Sequence, residues 1–146
     1  MKLAQLSLFL ENRPGHLYSV CQTLAAAKVN ILTLSLADTQ QFGILRLIVK
    51  DPQAAKAVLE KAGCVVNVTE VVATEVADRP GGLAEILGVI QQAGLNVEYM
   101  YAFTFGHGGK AVLIFRFDDP DAAIEKLKSS GINVVGSVEL YSRVEK

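Results

Sequence analysis

Neither sign of charge dominates this chain, and neither is gathered into runs. Fourteen Lys and Arg stand against fifteen Asp and Glu, for a net charge of −1 over 146 residues. A nucleic-acid partner is therefore disfavoured, because neutralising phosphates needs clustered Lys and Arg. Long apolar runs are missing too. Each is interrupted well short of the roughly 20 residues that a membrane-spanning helix needs, so no membrane partner is expected. Cysteine and histidine occur twice each, without a CxxC pair or a histidine cluster. That pattern offers no metal-ligand spacing and reads Cys21 and Cys64 as buried thiols in a reducing cytoplasm. No Ser–His–Asp, Cys–His or paired-carboxylate arrangement stands out, and Ser19 and Ser35 have no activating base in view. The glycine-rich stretch around His107 lacks the Lys-Ser/Thr ending of a phosphate loop and precedes a strand, so His107 reads as an exposed loop residue. No catalytic residue, metal or cofactor is expected, and the chain reads as a non-enzyme.

What is present is apolar content and repetition. Hydrophobic residues make up 51% of the chain and charged residues 20%, enough to build a core. The N-terminal MKLAQLSLFLEN superficially resembles a signal peptide, but Gln5 and Ser7 alternate with Leu6, Leu8 and Leu10, which is the period of a strand. LENRPGHL at residues 10–17 is nearly repeated by VADRPGGL at 76–83. Over Glu11–Ile31 against Ala77–Val97, six of twenty-one positions are identical at an offset of 66 residues. Asp51-Pro52 matches Asp119-Pro120 at an offset of 68, so the second copy has gained two residues in between, at the hairpin holding Gly106-His107-Gly108-Gly109. This is an internal duplication, and it divides the chain into a first domain, residues 1–69, and a second, residues 70–146.

Each copy reads as strand, helix, strand, strand, helix, strand. The first helices carry apolar stripes at i, i+3, i+4 and i+7: Leu17, Val20, Cys21 and Leu24, then Leu83, Ile86, Leu87 and Ile90. The second helices open with Asp51-Pro52 and Asp119-Pro120, a capping carboxylate followed by proline at the first helical position. Gly63 and Gly131 stand where those helices should stop. Paired β-branched and leucine-rich runs between the helices form hairpins, and Leu32, Leu34 and Leu36 predict one sheet face packed on helices. The fold class is α+β: two ferredoxin-like βαββαβ repeats, each an antiparallel sheet with helices on one face.

The repeated Pro-Gly corner turns a strand into a helix. Helix starts leave amides without internal partners and carry partial positive charge, so the amides of Gly15 to Leu17 form a natural carboxylate seat. The corner can equally serve to turn the chain, Asn30 and Asn96 can be turn residues, and Arg13 and Arg79 can be solvated, ligand-bound or paired between repeats. ENRPG at a strand end, a helix of about fourteen residues and VNI opening the next strand together resemble the ACT domain, over both repeats. Within that family the pattern is most similar to the serine-sensing regulatory domain of phosphoglycerate dehydrogenase. Leu10 stands where that pattern has a histidine, so the resemblance implies an amino-acid ligand without selecting serine.

The resemblance implies that Asn12 hydrogen-bonds the ligand, Gly15 admits it to the backbone and Asn30 reaches it from a neighbouring unit. Asp78 replaces the asparagine in the second copy, while Gly81 and Asn96 are kept, so the two seats are expected to be inequivalent. The expected ligand-binding set is Asn12, Arg13, Pro14, Gly15, His16, Leu17, Asn30 and Ile31, with Asp78, Arg79, Pro80, Gly81, Gly82, Leu83, Asn96 and Val97. The function implied is a stand-alone, non-catalytic cytoplasmic sensor of a free amino acid, acting as a homodimer in amino-acid metabolism. Alternatives are a regulatory subunit docking on a separate biosynthetic enzyme, a ligand-free dimerisation module and an enzyme of ferredoxin-like fold.

Overall fold

A computed structural model of the chain describes residues 1–38 and 41–144, with the side chains of Asp38 and residues 104–107 also outside the described set. The turn at Thr39-Gln40 and the side chain of His107 thus lie outside the described residues. The chain forms two compact units, one spanning Ala4–Thr69 and one running from Glu70 onward. Met1–Leu3, which the duplication assigns to the first copy, groups with the second unit. Lys2 pairs there, its Nζ 2.7 Å from Glu70 and 3.2 Å from Asp121.

The first unit runs β1 (Leu3–Glu11), α1 (His16–Ala26), β2 (Ile31–Asp38), β3 (Phe42–Val49), α2 (Pro52–Lys61) and the start of β4 (Val66–Ala77). Its strands order as β2-β3-β1, all antiparallel, with Leu8 opposite Leu45 and Leu6 opposite Leu47. Leu6, Leu8 and Leu10 pack on Val20 and Leu24 of α1 and Leu59 of α2. Each such leucine stabilises the unit by roughly 1.5–3 kcal/mol relative to exposure.

The second unit repeats the plan with the rest of β4, then α3 (Gly82–Gln92), β5 (Val97–His107), β6 (Lys110–Phe117), α4 (Pro120–Ser129) and β7 (Val134–Val135). Its strands order as β5-β6-β4-β7. One uninterrupted strand, β4, ends the first repeat and begins the second. Asp51 and Asp119 cap α2 and α4 as the sequence predicts, accepting from the Ala54 and Ala122 amides at 3.0 and 3.1 Å. Gly63 and Gly131 follow those helices in left-handed geometry.

Four expectations need correction. Leu83 is 41% exposed, because the buried stripe of α3 starts one residue earlier, at Gly82, and continues through Ile86 and Ile90. Leu34 and Leu36 are 46% and 48% exposed although their partners Leu47 and Leu45 are fully buried. They share the helix-covered face, but β2 is the outer strand of its sheet. Cys21 and Cys64 are free thiols, as expected, yet only half-buried. Finally, a helix outside the duplicated plan, α5 (Ser137–Val144), ends the described chain with Leu140 fully buried.

Candidate functional site

Both Pro-Gly corners adopt the same backbone. Gly15 and Gly81 are the N-caps of α1 and α3, with φ of 86° and 85° and no side-chain capping bond. A Cβ on either glycine would meet nothing within 4 Å, so the ground for glycine is the left-handed conformation and an open approach to the backbone. Each corner is also tied to the hairpin of its own unit. The Asn12 amide donates to the Gln41 carbonyl at 3.1 Å, and the Asp78 amide to the Gly109 carbonyl at 2.9 Å. Residues 12–15 and 78–81 are all exposed.

The next residue separates the copies. His16 Nδ1 accepts a 2.8 Å hydrogen bond from the Glu11 amide, which places the imidazole proton on Nε2. Its counterpart Gly82 is buried, and a Cβ there would stand 2.0 Å from the Ala77 carbonyl oxygen. His16 thus braces the corner through Nδ1. Arg13 and Arg79 pair within their own units, with Glu11 and Glu85, each at 2.6 Å and with more than half of every side chain exposed. Such pairs are too solvated to anchor the fold.

Leu17 packs against the first core, and Ile31 and Val97 are half-buried at the starts of β2 and β5. Asn30 and Asn96 are exposed immediately before those strands. The left-handed residue of each helix-to-strand turn is Lys28 (φ 59°) or Gly94 (φ 71°), and Lys28 is the only non-glycine residue with positive φ among those described. Left-handed backbone geometry therefore does not call for asparagine at either position.

Beside each corner lies a cleft that the sequence did not suggest. The first, about 410 Å³, runs from the end of β1 past His16, Ser19 and Thr23 of α1 to Cys64 and Val65. The second, about 250 Å³, is built from the corresponding positions, including Glu75, Gly82, Glu85 and Asn133. Of the expected ligand set, His16 alone reaches the described lining of the first cleft and Gly82 alone that of the second.

Glu75 is the electrostatic centre of the second cleft, with its side chain only 10% exposed. Burial pushes its carboxyl up, but hydrogen bonds from Asn133, Arg143 and Lys110 outweigh that and hold it below the usual carboxylate range. Arg143 of α5 lies 2.5 Å from Glu75 and also pairs with Glu139, four residues before it in the same helix. Glu75 in turn raises the guanidinium's affinity for its proton. At Cys64, in the first cleft, burial pushes the thiol up, away from a reactive thiolate. Among the described residues, no group of three or more His, Cys, Asp or Glu is placed to hold a metal ion, and no helix is long and apolar enough to cross a membrane.

Comparison with known proteins places this geometry. A family model described as an ACT domain pair matches residues 1–143. The solved structure of protein BT0572 from Bacteroides thetaiotaomicron is 38% identical, covering 97% of this chain and 96% of that one, with a TM-score of 0.89. The regulatory subunits of aspartate kinase from Thermus flavus and Thermus thermophilus share the fold at 18% and 16% identity, with TM-scores of 0.61 and 0.60. Those matches cover 86% of this chain and 90% and 91% of theirs. No curated protein matches. With one duplicated βαββαβ plan and a family match over nearly its whole length, the chain belongs to the ACT domain pair family.

Proposed function

We propose that this chain is a regulatory, non-catalytic sensor that binds a free amino acid at its Pro-Gly corners. The observation that carries the reading is the pair of helix-start glycines, left-handed, uncapped by side chains and open to approach in both repeats. A ligand carboxylate would sit at the helix starts of residues 15–17 or 81–83, favoured by the helix dipole. There the amides of His16 and Gly82 already donate to the Arg13 and Arg79 carbonyls, and those on either side would meet the ligand. Asn12 and Asp78 flank the two seats. Asn30 and Asn96, with Ile31 and Val97 behind them, would reach a ligand held by a neighbouring unit, in the manner of the dehydrogenase sensing domain that the sequence resembles. Asp78 would repel a carboxylate and attract an ammonium, so the two seats take the ligand differently or are filled unequally.

Interfaces between units imply a homodimer, and the exposed Leu34 and Leu36 on outer strand β2 offer an edge for one. Differential affinity between two arrangements of the units would be the output. Two structures of the same fold are, by their descriptions, regulatory subunits of an enzyme. Control of a separate enzyme of amino-acid metabolism, in the cytoplasm, is the corresponding role here.

Thermal shift with the twenty amino acids tests the reading. Dose-dependent stabilisation by one chemical group is expected, and a flat panel on clean protein would sink it. Combining Gly15→Asp with Gly81→Asp should abolish the shift. The matching Asn pair, equal in bulk and tolerant of left-handed geometry, controls for the fold and should retain more of it.

A further inference from the structure

The two clefts are one inherited cleft with its chemistry rewritten. Apart from Ala62, their walls correspond position by position at the offsets of the duplication, 66 residues along the first strand and helix and 68 beyond the hairpin. At the rim, Phe9, Phe42 and Val65 of the first cleft stand where the second has Glu75, Lys110 and Asn133. On α1 the hydroxyls of Ser19 and Thr23 stand where α3 carries Glu85 and Val89. Phe9, Phe42 and Val65 are 58%, 51% and 71% exposed, so one repeat carries large apolar groups at a concave, solvent-open space. In the other repeat the same rim is a charge network, and Arg143 of α5 holds its central acid.

From this contrast we infer that the first cleft selects a free amino acid with a large apolar side chain, while the second does not. The inference rests on the sensing role proposed above and names the ligand class of its first seat. Space is sufficient: about 410 Å³ lies within the size range of small-molecule sites, and roughly 150 Å³ holds a benzene ring. The chemistry also fits. A ligand side chain leaving water there meets Phe9, Phe42, Val65 and the Cys64 thiol. Of the polar groups in the wall, the Thr23 hydroxyl donates to the Ser19 carbonyl, His16 Nδ1 is held by the Glu11 amide, and the Glu11 carboxylate is paired with Arg13. A charged side chain would lose hydration against these groups without a counter-ion in return. The second cleft inverts this, because an apolar side chain would have to displace water from Lys110 and Glu85, both more than half exposed, beside the hydrogen-bonded Glu75.

The test measures L-phenylalanine and L-leucine against L-serine, L-aspartate and L-lysine, by thermal shift and calorimetry, on the full chain. Phe9→Glu combined with Phe42→Lys copies the second rim onto the first. Both side chains are more than half exposed, so the unliganded variant should keep the melting temperature of the parent to within a few degrees. Binding of phenylalanine or leucine that weakens at least about tenfold in the variant supports the inference. Binding of the polar probes alone, or apolar binding untouched by the variant, overturns it and leaves the sensing role standing. A flat response to all twenty amino acids overturns both.

Discussion

Gly82 and His16 occupy the same place in the two repeats, and their corners treat them differently. At Gly82 the helix start presses on the Ala77 carbonyl, leaving no room for a Cβ. Gly82→Ala should therefore destabilise the second unit by about 1–3 kcal/mol, the usual scale of overpacking, as read by urea denaturation. His16→Ala removes only one hydrogen bond at a half-exposed site and should cost about 0.5–1.5 kcal/mol. A gain is available nearby. Thr74 is fully buried, and its hydroxyl has no hydrogen-bond partner among the described residues. Leu8 holds the equivalent position in the first repeat, so Thr74→Val should raise stability by about 1 kcal/mol; a lower denaturation midpoint would contradict this. None of these residues was legible as structural from sequence. Glycine and histidine beside a loop, and a lone threonine within a strand, carry no periodic signal, and the Ala77 carbonyl closes on Gly82 only once the chain has folded.

The helix outside the duplicated plan, α5, is held to the second unit by Leu140 and by the pair of Arg143 with Glu75. Its signals were present in sequence: Leu140, Tyr141 and Val144 at helical spacing, and Glu139 four residues before Arg143. A short segment with two possible periods is easily read as a strand end, and its anchor, 68 residues away in sequence, was invisible. Arg143→Met should cost about 1.5–3 kcal/mol, the scale of a hydrogen bond between charged groups that are largely out of water. Glu75 adds a pH dependence with a definite sign. Its carboxyl is held below the ordinary range in the folded chain, so its stabilisation is present at neutral pH. It is lost as pH falls from about 4.3, the ordinary glutamate value, through the lowered one. Denaturation midpoints between pH 5 and 3 should therefore fall less steeply in Glu75→Gln than in the parent, from a lower start.

At the scale of the whole molecule, β2 leaves Leu34 and Leu36 exposed on an outer strand, with Tyr18 of the first unit 66% exposed as well. Apolar side chains on an unprotected strand edge favour pairing with another chain. Light scattering should give twice the mass of the chain, and Leu34→Lys combined with Leu36→Lys should give a monomer. A dimer that survives both charges would place the interface elsewhere. The amino-acid panel belongs to this scale too, because a seat completed by a neighbouring unit should weaken when the dimer is dissolved.

The sequence alone determined the duplication, from segments that match at offsets of 66 and 68 residues. It also determined the βαββαβ order, the aspartate caps and the Pro-Gly corners, each of which depends on residues within a turn or two of one another. Period, spacing and the special geometry of proline and glycine are local physics and survive without a fold. Tertiary structure decided what the corners stand beside. Only when β1, α1 and the segment after α2 converge do Phe9, His16 and Val65 line one space, and only then do Glu75, Lys110 and Arg143 meet. Those contacts depend on packing between distant segments, which no short window of residues encodes.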